Sequence, residues 1–153
     1  MTRLSILLSI LDPLIINDTN LEAALRLSTV EILVRLLHVT DHSPQPIRGA
    51  ELENKTVEIY LKYAIRCLTS SVRNVSALNQ IVVCEGGVKN IVNILRLYRD
   101  EEMVANSGKI VRFLLREETH YELLVESFPD LGNLLLETAE LFKFSEIVTM
   151  ELL

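Results

Sequence analysis

Asn79-Gln80-Ile81-Val82-Val83-Cys84-Glu85-Gly86-Gly87-Val88-Lys89-Asn90-Ile91-Val92 is an apolar run, a glycine pair and a second apolar run. The glycine pair turns the chain sharply, because glycine reaches backbone angles that other residues avoid. Beyond it, Val88, Ile91, Val92 and Leu95 fall at i, i+3, i+4 and i+7, the spacing that places side chains on one face of an α-helix. The stretch reads as a short helix, a two-residue break and a second helix.

The pattern recurs 43 residues further on. Ile81, Val82, Val88, Ile91 and Val92 align with Leu124, Val125, Leu131, Leu134 and Leu135, and Gly86–Gly87 falls on Pro129–Asp130. A longer helix, Glu101–Arg116, follows the first pair. Short, medium and long helices with a period near 43 residues are the signature of a helical repeat. Periodicity predicts helices over 3–11, 20–39 with a break near Ser28–Thr29, 52–70, 75–84, 88–98, 101–116, 119–127, 131–142 and 145–153. Asp100 and Thr119 are expected N-caps, Asp12–Pro13 should end the first run, and Ser43–Pro46 opens a loop. Gly108, inside a helix, marks a kink or a close helix contact. No segment alternates in the manner of a strand.

The stretch Asn79–Val92 resembles the entry to the second helix of the armadillo repeat. Ala64-Ile65-Arg66-Cys67-Leu68 resembles the end of that family's third helix and recurs as Ile110-Val111-Arg112-Phe113-Leu114. The resemblance covers residues 52–142 and fades before 52, where the Asp41–Glu51 segment disturbs the period; an irregular bundle of HEAT type is the alternative. It implies an all-α, right-handed solenoid of about three armadillo-like repeats forming a single domain over residues 1–153, and a non-enzymatic scaffold that binds another protein. Peptide-binding members carry an asparagine on the third helix. The matching positions here are Cys67 and Phe113, and neither both donates and accepts as an amide does. The implied groove is therefore more apolar and suits an amphipathic helix or a hydrophobic peptide anchor. Its expected lining is Lys62, Arg66, Arg112 and Arg116, with Cys67 and Phe113 as floor. Arg66 and Arg112 hold the same place in the recurring motif, so they either grip an acidic feature of a partner or tie repeats together internally.

Composition sets the bounds. Of 153 residues, 49% are apolar, only five are Gly and four Pro, which suits stacked helices and excludes a disordered chain. The net charge of −6 is uneven. Residues 1–76 are balanced, and from Glu117 onward nine acids face one base, Lys143. Such a field repels nucleic-acid phosphates and anionic membranes and attracts basic peptides. Nothing approaches the length of a membrane-spanning helix. The run Leu4–Leu11 lacks a signal-peptide cleavage site. Cytoplasm, with the nucleus as alternative, is the expected setting, with Cys67 and Cys84 as free thiols.

No chemistry is legible. His38, His42 and His120 are scattered, neither cysteine has a ligand partner at metal spacing, and no nucleophile or phosphate-loop motif is present. No cofactor is expected, and His38 and His42 read as solvated or capping. Glu117, Glu118 and Glu122 read as first-turn acids. Asn17, Asn54 and Asn74 begin glycosylation sequons, read as unused. The chain opens within the apolar run at Leu4 and stops at Met150-Glu151-Leu152-Leu153. A piece of a longer protein, or ends covered by a partner or by a second copy in a homodimer, is the expectation.

Overall fold

The computed structural model describes residues 3–38 and 51–152, giving the backbone alone for 51–54. The expectations for Ser43–Pro46 and His42 lie outside these residues. Among the described residues all regular structure is helical: α1 (Arg3–Ile15), α2 (Asp18–Arg26), α3 (Thr29–Leu36), α4 (Glu51–Ser71), α5 (Val75–Val83), α6 (Gly87–Leu97), α7 (Glu101–Arg116), α8 (Glu118–Ser127), α9 (Leu131–Leu141) and α10 (Glu146–Leu152).

After α1 the helices fall into threes. Two short helices lead to a third, and like helices stack: α1 on α4, α4 on α7 and α7 on α10 in one ladder, α3 on α6 and α6 on α9 in another. Sequence explains the second ladder. Val30, Leu33, Val34 and Leu37 of the first unit are buried, as are Val88, Ile91, Val92 and Leu95 of the second, 58 residues on. In the third unit the same stripe is Leu131, Leu134, Leu135 and Thr138. Thr138 turns its hydroxyl back onto the Leu134 carbonyl at 2.6 Å, which satisfies it without a tertiary partner.

The long helices repeat equally well. Leu61, Ala64, Ile65 and Leu68 of α4 are buried, and so are Ser107, Ile110, Val111 and Leu114 of α7, 46 residues on. α1 offers Leu8 and Ile15 to α4, with Leu4 and Leu11 partly covered beside them. The repeat therefore extends ahead of residue 52, where sequence similarity fades.

The turn between the two short helices has two separate requirements. Gly86 holds the left-handed conformation, with φ at 72°. Gly87 has an ordinary φ but no room, because a Cβ there would collide with the Ile81 carbonyl oxygen. In the first unit Ser28 takes the place of Gly86 and is also left-handed, with φ at 56°. This splits the expected helix 20–39 in two. In the third unit the break at Pro129–Asp130 holds no left-handed residue, and Asp130 has φ at −87°.

Two other expectations are corrected. α1 runs through Pro13 to Ile15. Proline there forfeits the bond to the Ser9 carbonyl, a loss offset by burying Ile15. Thr119 caps nothing: α8 starts from Glu117 without a side-chain cap. Asn17 and Asn74 are caps, their side chains accepting from Thr19 N at 3.0 Å and Ser76 N at 2.8 Å. The sequon pattern at these two sites thus coincides with helix starts 57 residues apart. Asp100 does cap α7, accepting from Met103 N at 3.0 Å. Gly108 marks a close contact: a Cβ would lie 2.6 Å from Leu152 Cδ2 of α10.

Two stability measurements test this packing. Ile91→Ala, which empties a site that is 0% exposed, should cost about 2–5 kcal/mol in denaturant unfolding; a loss below about 0.5 kcal/mol would put the stripe on the wrong face. Ser28→Gly relieves the left-handed backbone. It should raise stability by about 0.5–1 kcal/mol, after allowance for glycine's greater freedom in the unfolded chain. Any fall in stability would contradict the turn as described.

Candidate functional site

The expected groove residues all lie on α4 and α7, the central pair of the long-helix ladder, but most of their charge is engaged within the fold. Lys62 Nζ meets Asp100 at 3.1 Å and Glu102 at 3.0 Å, at the head of α7. Arg66 Nε reaches Glu102 at 3.1 Å on one side and Asp12 of α1 at 3.6 Å on the other. Arg112 pairs with Glu151 of α10 at 2.7 Å and donates to the Met150 carbonyl at 3.0 Å. The internal tie is thus present, through Asp12, Glu102 and Glu151. Further ties cross the same joints. Ser70 donates to Asp12 at 2.6 Å, and Arg73 donates to the Ile15 and Ile16 carbonyls at the end of α1. A cation satisfying orphan carbonyls at a helix C-terminus is favourable on two counts.

Cys67 offers no surface. It is 0% exposed and its Sγ donates to the Leu8 carbonyl at 3.4 Å, so the floor expected of it is closed by α1. Burial, followed by the Asp12 charge, pushes its thiol up to about 12. Phe113 is half-buried and keeps a face outward, where Arg116 lies over its ring at 5.8 Å. Arg66 lies over Tyr63 at 5.9 Å on α4. Arg116 is exposed and is held by no carboxylate among the described residues. Of the six residues expected to meet a partner, Phe113 and Arg116 remain presented, with Tyr63 beside Arg66 as the aromatic that sequence reading passed over. The signal for it was the aromatic–Arg spacing of three, which is the same in Tyr63–Arg66 and Phe113–Arg116.

Elsewhere among the described residues clefts open: about 1120 Å³ between α3, α5 and the head of α6, about 510 Å³ between α6 and α9, and about 310 Å³ between α7 and α10. Arg96 spans the second, its Nη2 holding both oxygens of Asp130 at 2.8 and 2.9 Å. His120 is buried. Among the described residues no group of three or more His, Cys, Asp or Glu is placed to hold a metal ion, and no helix is long and apolar enough to cross a membrane. No protein-family model, curated protein or solved structure matches the chain.

The Lys62–Asp100 joint has a defined pH signature. Burial would raise the Asp100 carboxyl, but the Met103 N–H and Lys62 outweigh it, and the group sits below its ordinary value. Burial would lower Lys62, but Glu102 and Asp100 outweigh it, and the ammonium sits above its ordinary value. Asp100 therefore contributes stability above the usual carboxylate range, and loses it as pH falls below about 4. Lys62 contributes stability below about pH 10 and loses it as pH rises further. Asp100→Ala removes the cap and an ion-pair partner, and should cost about 1–2 kcal/mol at neutral pH. Urea midpoints from pH 2 to pH 7 should show that deficit shrinking on the acid side; a pH-independent deficit would mean that the charge on Asp100 is not what the fold uses.

Proposed function

We propose that this chain is a non-enzymatic protein-interaction scaffold, an armadillo-like right-handed solenoid segment that receives a partner on the outward surface of α4 and α7. The observation that carries this reading is the pair of cation-over-aromatic sites, Arg66 on Tyr63 and Arg116 on Phe113, on two stacked helices. Aromatics and arginine are the residues most often found as interface anchors. Arg116, with no carboxylate partner among the described residues, is a cation available to an acidic group beside an apolar anchor. An amphipathic helix with an acidic rim fits this chemistry, since Phe113 gives it an apolar seat and Arg116 a charge.

Arg116→Glu tests the reading. The residue is exposed, so stability should move by no more than about 0.5 kcal/mol. The proteins recovered by affinity capture with the wild-type chain should bind the variant at least about tenfold more weakly, the order expected for losing a desolvated charge contact. Equal binding would place the partner elsewhere.

A second reading, self-association, is favoured by α1. Leu7, Ile10 and Leu14 are exposed, and 57 residues on they correspond to Ala64, Cys67 and Ser71 of α4, which lie buried where α4 meets α1. Ile147 and Met150 are exposed on α10. A second copy covering these faces would appear as a concentration-dependent mass in light scattering, and a constant monomer mass would exclude it.

A further inference from the structure

The largest of these clefts lies away from the long-helix ladder, between α3, the end of α5 and the head of α6. Its inner wall carries two amide side chains with hydrogen-bonding capacity left over. Asn90 is 1% exposed, and neither its Oδ1 nor its Nδ2 has a partner among the described residues. Gln80 donates to the Leu25 carbonyl at 3.4 Å, while its buried Oε1 accepts nothing. Buried polar groups are almost always matched, and an unmatched one works against folding. Here three such atoms line one cleft. Asn90 leans toward the start of its helix, as side chains on a helix do. Its amide ends beside Gly86, where a Cβ would stand 3.6 Å from Nδ2.

We propose that this cleft binds a peptide bond, carried by an extended segment of a protein ligand. The unmatched set is one donor, Asn90 Nδ2, and two acceptors, Asn90 Oδ1 and Gln80 Oε1. A group that donates and accepts from neighbouring atoms satisfies both kinds, and the amide is that group. A carboxylate would satisfy Nδ2 alone and would leave both acceptors unmatched. An ammonium or guanidinium would leave Nδ2 unmatched. Val34 and Val83 supply apolar wall beside the amides, which suits the side chains that flank a peptide bond. The cleft is separate from the α4–α7 surface and does not rest on the scaffold reading given for it.

Cys84 makes the proposal testable without a known ligand. It is half-buried and lines this cleft, while Cys67 is sealed in the core. The folded chain is offered, as their symmetrical disulfides and with a mild thiol reductant that keeps exchange reversible, two small thiols of matched size. They are N-(2-mercaptoethyl)acetamide, which carries an amide, and 2-mercaptoethyl acetate, its ester counterpart, which accepts but cannot donate. The Cys84 thiolate attacks a disulfide sulfur and releases one equivalent of free thiol. Mixed disulfide at Cys84 is read by intact-mass spectrometry. The amide thiol should be captured about three- to tenfold more than the ester, the range of one buried hydrogen bond. The preference should shrink toward parity in Gln80→Met, which keeps the length of the side chain, and in Asn90→Leu. Asn90→Leu should also melt above wild type, because it removes the unmatched polar atoms. Equal capture of the two thiols by the wild-type chain, a preference that survives both substitutions, or a lower melt for Asn90→Leu would overturn the proposal.

Discussion

Helix α4 has to bury opposite sides at once, and the rest of the structure is arranged around that need. Ala64, Cys67 and Ser71 are small enough for α1 to come close, to the point that the Cys67 thiol bonds the Leu8 carbonyl. Thr69 does the same toward α7, its hydroxyl bonding the Ile65 carbonyl at 2.8 Å and the Asn106 carbonyl at 3.3 Å. Gly108 plays the equivalent part between α7 and α10. A helix buried on two sides cannot stand alone. The short helices deliver the chain from one long helix to the next, and their glycine or left-handed serine turns set the angle at which it arrives.

This arrangement was legible in sequence wherever burial recurs at helical spacing. The stripe Val88–Ile91–Val92–Leu95 and its copy near Leu131 gave the second helices and their phase, and α7, expected over 101–116 behind the Asp100 cap, spans those residues. What escaped depended on neighbours distant in sequence. Pro13 reads as a stop, yet packing of Ile15 carries α1 past it. Ser28 does not read as a left-handed residue, because nothing local demands it; the demand comes from stacking α3 under α6. The ion pairs were harder still. Asp12, Glu102 and Glu151 are separated from their partners by 36 to 54 residues, and only the stacking interval joins them.

The candidate surface shows the same division. A basic stripe on the long helices could be read from the recurrence of Arg66 and Arg112, but its availability could not. Arg66 is shared between Asp12 and Glu102 and so belongs to two joints. Exposed ion pairs contribute little individually, and a shared arginine gains because its side chain is ordered once for both. Asn90 escaped for the opposite reason. Asn90 stands beside the apolar stripe of α6, and nothing in its local spacing tells a covered polar residue from a solvated one; the fold covers it.

The chain between second and third helices differs greatly from unit to unit. Residues 98–100 join α6 to α7 and residues 142–145 join α9 to α10, whereas residues 37–50 join α3 to α4. The two ladders nevertheless keep the same phase across all three units, because register is fixed by which faces meet and not by the length of the connection. Going from three connecting residues to fourteen adds only about 1–2 kcal/mol of closure entropy. The interval between second and third helix is therefore the architecture's expansion joint, where sequence can be gained or lost while the stack on either side stays in step.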